Sequence, residues 1–273
     1  MIDLHVHTYR CRHAEGTPSD YVRAAALRGV ATMAFTDHLP LAPELAERVP
    51  GAEAYAMAAE ELPLYVSEVA EARDLGKQLA VEVLCGIEAD LVSTGIETVR
   101  ALVEGGSFDI VLGSVHFIDD WAFDDPSRRE QYDRWSPQDL WARYFADLAG
   151  AAAAGIADVM AHADLVKKFS FAPDGPLDAL YEQTAEALHA ADVAVEVNTA
   201  GLRKPCRELY PAPAFLRALN RAGVPVTVGS DAHAPGEVGA GWLEAVAALR
   251  EAGYGSALVF RGRVPEEVGL DVG

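Results

Sequence analysis

Seven of the eight histidines in the chain stand in short polar clusters. His5 and His7 are separated by one residue, and His13 closes Cys11-Arg12-His13. His38 closes Thr36-Asp37-His38, His116 closes Gly113-Ser114-Val115-His116, and His162 opens His162-Ala163-Asp164. His233 closes Gly229-Ser230-Asp231-Ala232-His233, and Gly86-Ile87-Glu88-Ala89-Asp90 adds two carboxylates. Neutral imidazole and carboxylate are ligands suited to Zn, Mn or Fe. In an extended strand alternate residues share a face, so the His5 and His7 rings point to one side. Seven imidazoles with Glu88 and Asp231 exceed what one ion needs, which implies two or three ions.

Other residues in these clusters admit more than one role. Cys11 could be a thiolate ligand, but no second Cys lies at metal spacing, and a small packed residue is the favoured reading. Asp37 and Asp90 could be ligands. Adjacent strand residues point oppositely, so Asp37 is expected to orient a ligand from behind if His38 faces the site. Asp164 either faces the cleft or caps the next turn. His189 falls within a predicted helix and reads as surface.

The elements that must position these groups alternate in type. Short β-branched runs at Ile2–His7, Val30–Thr36, Leu79–Ile87, Phe108–Val115, Ala157–Ala161, Val193–Asn198 and Val224–Gly229 read as strands. Ala257–Phe260 reads as a possible eighth, shorter strand. Between them lie helical stretches, several opened by a proline at the first turn, as at Pro18, Pro63, Pro137, Pro211 and Pro235. Leu39–Ala59 reads as a partly helical loop. Asp119–Trp135 is too long for a plain connection and reads as a functional loop whose Trp121, Phe123 and Trp135 shape a pocket. Seven or eight strand–helix units without a break in composition predict one α/β domain over residues 1–273, an irregular (β/α)7 TIM-like barrel. The polar clusters fall at the C-terminal ends of its strands, the face where such barrels place their sites.

Composition narrows the function. With 22 Lys plus Arg against 42 Asp plus Glu, the net charge is -20, which disfavours nucleic acid and anionic membrane surfaces as partners. Neither G-x-G-x-x-G nor G-x-x-x-x-G-K-[ST] occurs, so both nucleotide-binding fingerprints are absent. Three widely spaced cysteines make no disulfide framework, the opening residues lack a signal-peptide pattern, and no apolar run approaches a membrane span; a cytoplasmic protein is expected.

The clusters resemble the polymerase-and-histidinol-phosphatase (PHP) superfamily, through D-L-H-V-H-T at the start and F-T-D-H, G-I-E-A-D, G-S-V-H, H-A-D-L and G-S-D-A-H along the chain. C-R-H-A-E-G, N-T-A-G-L-R-K-P and Tyr210-Pro211 further resemble its monofunctional histidinol-phosphate phosphatases of histidine biosynthesis. The resemblance implies a trinuclear site. His5, His7, Glu88 and Asp231 would hold the first ion. Glu88 would bridge to a second completed by His116 and His162, and His13, His38 and His233 would hold the third. It implies hydrolysis of L-histidinol phosphate to L-histidinol and phosphate, by in-line attack of a metal-bridging hydroxide. Zn, Fe or Mn would serve, and Arg203 and Lys167 would bind the phosphate. Asp231 or His233 would protonate the leaving alkoxide. The alternative is a related phosphoesterase acting on another small phosphomonoester or a nucleotide.

Overall fold

In chain order the strands and α-helices are β1 (Ile2–Val6), α1 (Pro18–Arg28), β2 (Thr32–Phe35), α2 (Pro43–Ala46), α3 (Leu62–Leu79), β3 (Glu82–Asp90), α4 (Ile96–Gly105), β4 (Ile110–Ser114), β5 (Phe117–Ile118) and β6 (Trp121–Ala122). Then come α5 (Pro137–Ala153), β7 (Val159–Met160), α6 (Asp178–Ala190), β8 (Ala194–Asn198), α7 (Pro213–Ala222), β9 (Val226–Gly229), α8 (Trp242–Ala252), β10 (Ser256–Arg261) and β11 (Val264–Gly269). The computed structural model describes residues 1–270.

Seven strands form one parallel sheet in the order β1-β2-β3-β4-β7-β8-β9. Every residue of β1, β2, β4, β8 and β9 is buried, as expected where helices cover one face and the barrel interior the other. The sheet curls until β1 meets β9, which makes the predicted irregular (β/α)7 barrel nearly closed. At that seam the ladder is thin: Val6 bridges Ala232, and His7 N donates to Ala232 O at 3.0 Å. The buried carboxylate of Asp3 takes the place of further rungs, accepting from Ser230 N at 2.7 Å and Ser230 Oγ at 2.6 Å.

Local chemistry sets the element ends. Thr17 caps α1, with Asp20 Oδ2 accepting from Thr17 N at 2.8 Å and Pro18 in the first turn, and Gly29 at φ 74° ends the helix. Several predicted boundaries move. The helix before β3 runs on to Leu79 and stops at Ala80, whose φ is 56°, so the strand starts at Glu82 instead of Leu79. The stretch from Pro235 is a short 3-10 turn, and α8 begins only after Gly241 at φ 77°. The predicted eighth strand exists but lies outside the barrel: β10 pairs antiparallel with β11.

That hairpin lies against the N-terminal ends of the barrel strands. Arg261 grips Glu82, the first residue of β3, through Nε–Oε1 at 2.7 Å and Nη2–Oε2 at 2.6 Å. Gly262 N and Arg263 N donate to Asp109 Oδ1 (3.1 Å) and Asp109 O (2.8 Å), just before β4. Arg263 reaches Asp158 at 3.0 Å and Ile156 O at 2.6 Å, just before β7. Among the described residues no helix is long and apolar enough to cross a membrane.

Candidate metal centre

The opposite end of the barrel gathers the polar clusters. The strands are buried to their last residues, and the ligand-type side chains stand at or just beyond their C-terminal ends. Glu88, near the end of β3 and 1% exposed, occupies the middle of the group. Its Oε2 lies 3.3 Å from both His5 Nε2 and His7 Nε2 and 3.1 Å from His38 Nδ1. Its Oε1 lies 3.0 Å from His162 Nε2 and 3.6 Å from His116 Nε2. The two oxygens thus address different sets of imidazoles. Asp231 Oδ1 lies 3.3 Å from His7 Nε2, 3.8 Å from His5 Nε2 and 3.4 Å from His233 Nδ1. The donor atoms of His13, His38 and His233 fall within 4.8 Å of one another.

The electrostatics suit cations. His5 Nε2 and His7 Nε2 face each other at 2.9 Å, and the buried Glu88 Oε2 accepts no hydrogen bond although three imidazoles surround it. Buried polar atoms in folded proteins are nearly always satisfied; a group of them aimed at one another fits bound metal ions. Burial pushes His7 down to about 3 and His38 well below its ordinary value, which holds both rings in the neutral form that ligates. Burial opposes charge on His116 too, but Asp90 and Glu88 beside it raise it to about 10. For Glu88 burial works against the carboxylate, yet His38, His5 and His116 hold it well below the ordinary range.

All nine residues proposed as ligands from the sequence meet at this end of the barrel. The residues around them have separate tasks. Asp90 Oδ1 pairs with His116 Nδ1 at 2.9 Å and so orients that ring. The Asp37 carboxylate makes no hydrogen bond to a histidine ring among the described residues; it accepts from Thr8 N and Thr8 Oγ, both at 2.8 Å, and so anchors the turn after His7. Cys11 is fully buried, with its Sγ within 4.8 Å of donor atoms of His7 and His233, and burial pushes its thiol up. Asp164 neither lines the cavity nor caps the turn that follows it; its side chain accepts from Ala212 N at 2.7 Å and pairs with Lys167 Nζ at 2.9 Å. His189 is on the surface.

Two expectations about the cleft are corrected by placement. Lys167 is buried and turned away, held by Asp164 and by Leu209 O at 2.7 Å. Arg203 is also turned from the cleft, donating to Ser230 O at 2.8 Å and pairing with Glu237 at 3.1 Å. Their sequence neighbours Lys168 and Lys204 line the cavity instead, a space of about 450 Å³ over the cluster. The aromatic side chains of the long loop do not shape that space either. Trp121 and Phe123 are buried in the core, with Tyr132 packed edge-on to Trp121 at 4.9 Å, and Trp135 packs against the same core. The loop presents Asp124, Asp125 and Pro126 to the cavity, where Asp125 Oδ2 accepts from Tyr55 Oη at 2.6 Å.

Sequence reasoning also missed Glu196 in the middle of β8. It is 1% exposed and accepts from His5 Nδ1 at 2.8 Å. The signal was available: one carboxylate interrupts the apolar run Val193–Val197, and a buried charge needs partners.

The PHP domain family matches residues 3–200, and a PHP-associated family matches residues 215–252. A relative from Deinococcus radiodurans named "probable histidinol-phosphatase" is 37% identical over 264 residues, spanning 96% of this chain and 97% of its own length. The histidinol-phosphatase of Bacillus subtilis is 24% identical, over 87% of this chain and 95% of its own. Among solved structures, the histidinol phosphate phosphatase of Lactococcus lactis, complexed with zinc, L-histidinol and phosphate, superposes with a TM-score of 0.81. The match covers 97% of this chain and 98% of that one at 20% identity.

Proposed function

This chain belongs to the PHP domain family, and from that premise we propose that it hydrolyses L-histidinol phosphate to L-histidinol and inorganic phosphate. The observation that carries the reading is Glu88, with one oxygen turned to His5, His7 and His38 and the other to His116 and His162. That is the arrangement a carboxylate shared between two cations needs. The proposed ligand sets are His5, His7, Glu88 and Asp231; Glu88, His116 and His162; and His13, His38 and His233. Bound there, Zn, Fe or Mn supplies Lewis acidity toward the phosphoryl oxygens and the attacking water.

The rest falls to the chain's own residues. A cavity of about 450 Å³ suits a small phosphomonoester. Lys168 and Lys204 line it and offer positive charge to a phosphate dianion in a protein whose net charge is -20. Asp124 and Asp125 face the same space beside Tyr55, a wall suited to the ammonium and imidazole of the leaving alcohol. Asp231 and His233 also line it, and either supplies the proton to the leaving oxygen. Arg203 and Lys167 support this surface from behind, through Asp231 O at 3.4 Å and through Asp164.

Steady-state kinetics on zinc-loaded enzyme with histidinol phosphate, a nucleoside monophosphate and an aryl phosphate test the reading. The expected outcome is a kcat/KM for histidinol phosphate at least a hundredfold (~3 kcal/mol) above the others. Equal efficiency on all three would replace it with a general phosphomonoesterase.

A further inference from the structure

Three donors converge on one buried carboxylate that does not line the cavity over the cluster. Glu196 Oε1 accepts from His5 Nδ1 at 2.8 Å, while Oε2 accepts from His162 N at 3.0 Å and Asn198 Nδ2 at 2.9 Å. Asn198 cannot turn its amide over, because its Oδ1 is already accepting from Ala200 N at 2.9 Å. Its Nδ2 also lies 3.4 Å from Asp231 Oδ2. Glu196 therefore joins residues at the ends of β1, β7 and β8, and through Asn198 a fourth just after β9.

The backbone makes room for this carboxylate. Gly229 ends β9, and a methyl group there would overlap both Glu196 Oε1 and the Cβ of His5. A glycine at this position lets the carboxylate lie flat against the first histidine of the cluster.

We propose that Glu196 is a positioning residue for the metal centre, fixing His5 with Nε2 free to ligate and holding His162 and Asp231 in register with it. A carboxylate only accepts, so the proton of the His5 ring stays on Nδ1. The lone pair then stands on Nε2, the atom that faces His7, Glu88 and Asp231. A glutamine of the same shape cannot serve. With its amide nitrogen toward His5, the ring must carry its proton on Nε2 and loses the lone pair that would ligate. With its amide nitrogen toward His162 N and Asn198 Nδ2, three donors face one another without an acceptor. Partners behind a ligating histidine typically change metal affinity by about 10- to 100-fold.

The proposal rests on the metal-dependent reading of the site but not on the identity of the substrate. Its test compares wild-type and Glu196→Gln holoenzyme by zinc content under chelator competition, melting temperature after metal removal, and kinetics at rising zinc. In Glu196→Gln, zinc should be stripped at about 10- to 100-fold lower chelator concentration. The metal-free melting temperature should be unchanged, and excess zinc should restore kcat with KM unaltered. Wild-type zinc retention overturns the assignment. So does a lower metal-free melting temperature with activity that zinc does not restore, which makes Glu196 a packing residue. If Glu196→Gln does not fold, Glu196→Asp decides: its oxygens retreat by one methylene from His5, and wild-type zinc retention in that variant overturns the assignment equally. Loss of zinc in an enzyme that ignores histidinol phosphate would uphold Glu196 and refute the substrate.

Discussion

Lys168 Nζ lies 2.9 Å from Asp124 Oδ2, tying the turn after β7 to the long loop after β6 along the cavity wall. The pairing keeps a cation at the cavity while Asp124, which burial would otherwise push up, is held down to about 2 by Lys168 first and then His116. Lys204 lines the same cavity and has no ion pair among the described residues.

Removing either cation should weaken phosphate recognition. A hydrogen bond to a charged group contributes about 1.5–3 kcal/mol. Lys168→Ala and Lys204→Ala should therefore each lose roughly ten- to a hundredfold in kcat/KM, with zinc content unchanged. Lys167→Ala should instead lower the melting temperature, because it leaves the buried Asp164 carboxylate unpaired. Kinetics, metal analysis and thermal melts on the three variants separate the roles.

Saturating metal followed by desalting should leave close to three ions per chain. Elemental analysis of active protein showing a single ion would leave most of these imidazoles without a metal to bind. Chelation should abolish turnover and lower the melting temperature, since ligands bound only by the folded state stabilise it.

Glu88→Gln should be the most damaging conservative change in the cluster. It removes the negative charge that five imidazoles surround while preserving shape. The expected outcome is loss of at least one ion per chain together with a fall in kcat beyond a hundredfold (~3 kcal/mol); near-normal turnover with full metal content would deny Glu88 its bridging place.

At the other end of the barrel, Arg261→Ala should cost about 1 kcal/mol or less, since the Arg261–Glu82 pair is partly exposed. Glu82 has a folded pKa depressed mainly by its hydrogen bond from Arg261. A depressed carboxylate stabilises the fold above its unfolded pKa and loses that stabilisation as pH falls through the folded one. The difference in melting temperature between wild type and Arg261→Ala should therefore shrink below the ordinary glutamate range, and also in high salt.

The strand ends were readable because six of the seven apolar runs stop in His, Asp or Glu, all but the one ending at Asn198, and a parallel barrel brings such ends to one rim. The carboxylate of Glu196 stands out in its apolar run, but its role was not readable, because its partners His5 and His162 lie 191 and 34 residues away and only the barrel brings them together. The lysines show a finer limit. Lys167 and Lys168 lie at the end of one 3-10 turn, where successive side chains point about 120° apart, so a shift of one residue exchanges cavity for core. For Trp121 and Phe123 the sequence gives bulk and apolarity but not direction, and the β5–β6 hairpin turns both inward.

The hairpin that spans the starts of β3, β4 and β7 is also the last described part of the chain to be synthesised. A ribosome releases all seven barrel strands before it releases Arg261 and Arg263. The nascent chain can therefore assemble its sheet and collect its histidines while Glu82 and Asp158 still lack their basic partners. The contacts of Arg261 and Arg263 to Glu82 and Asp158 thus become available only after the strands they brace have been made.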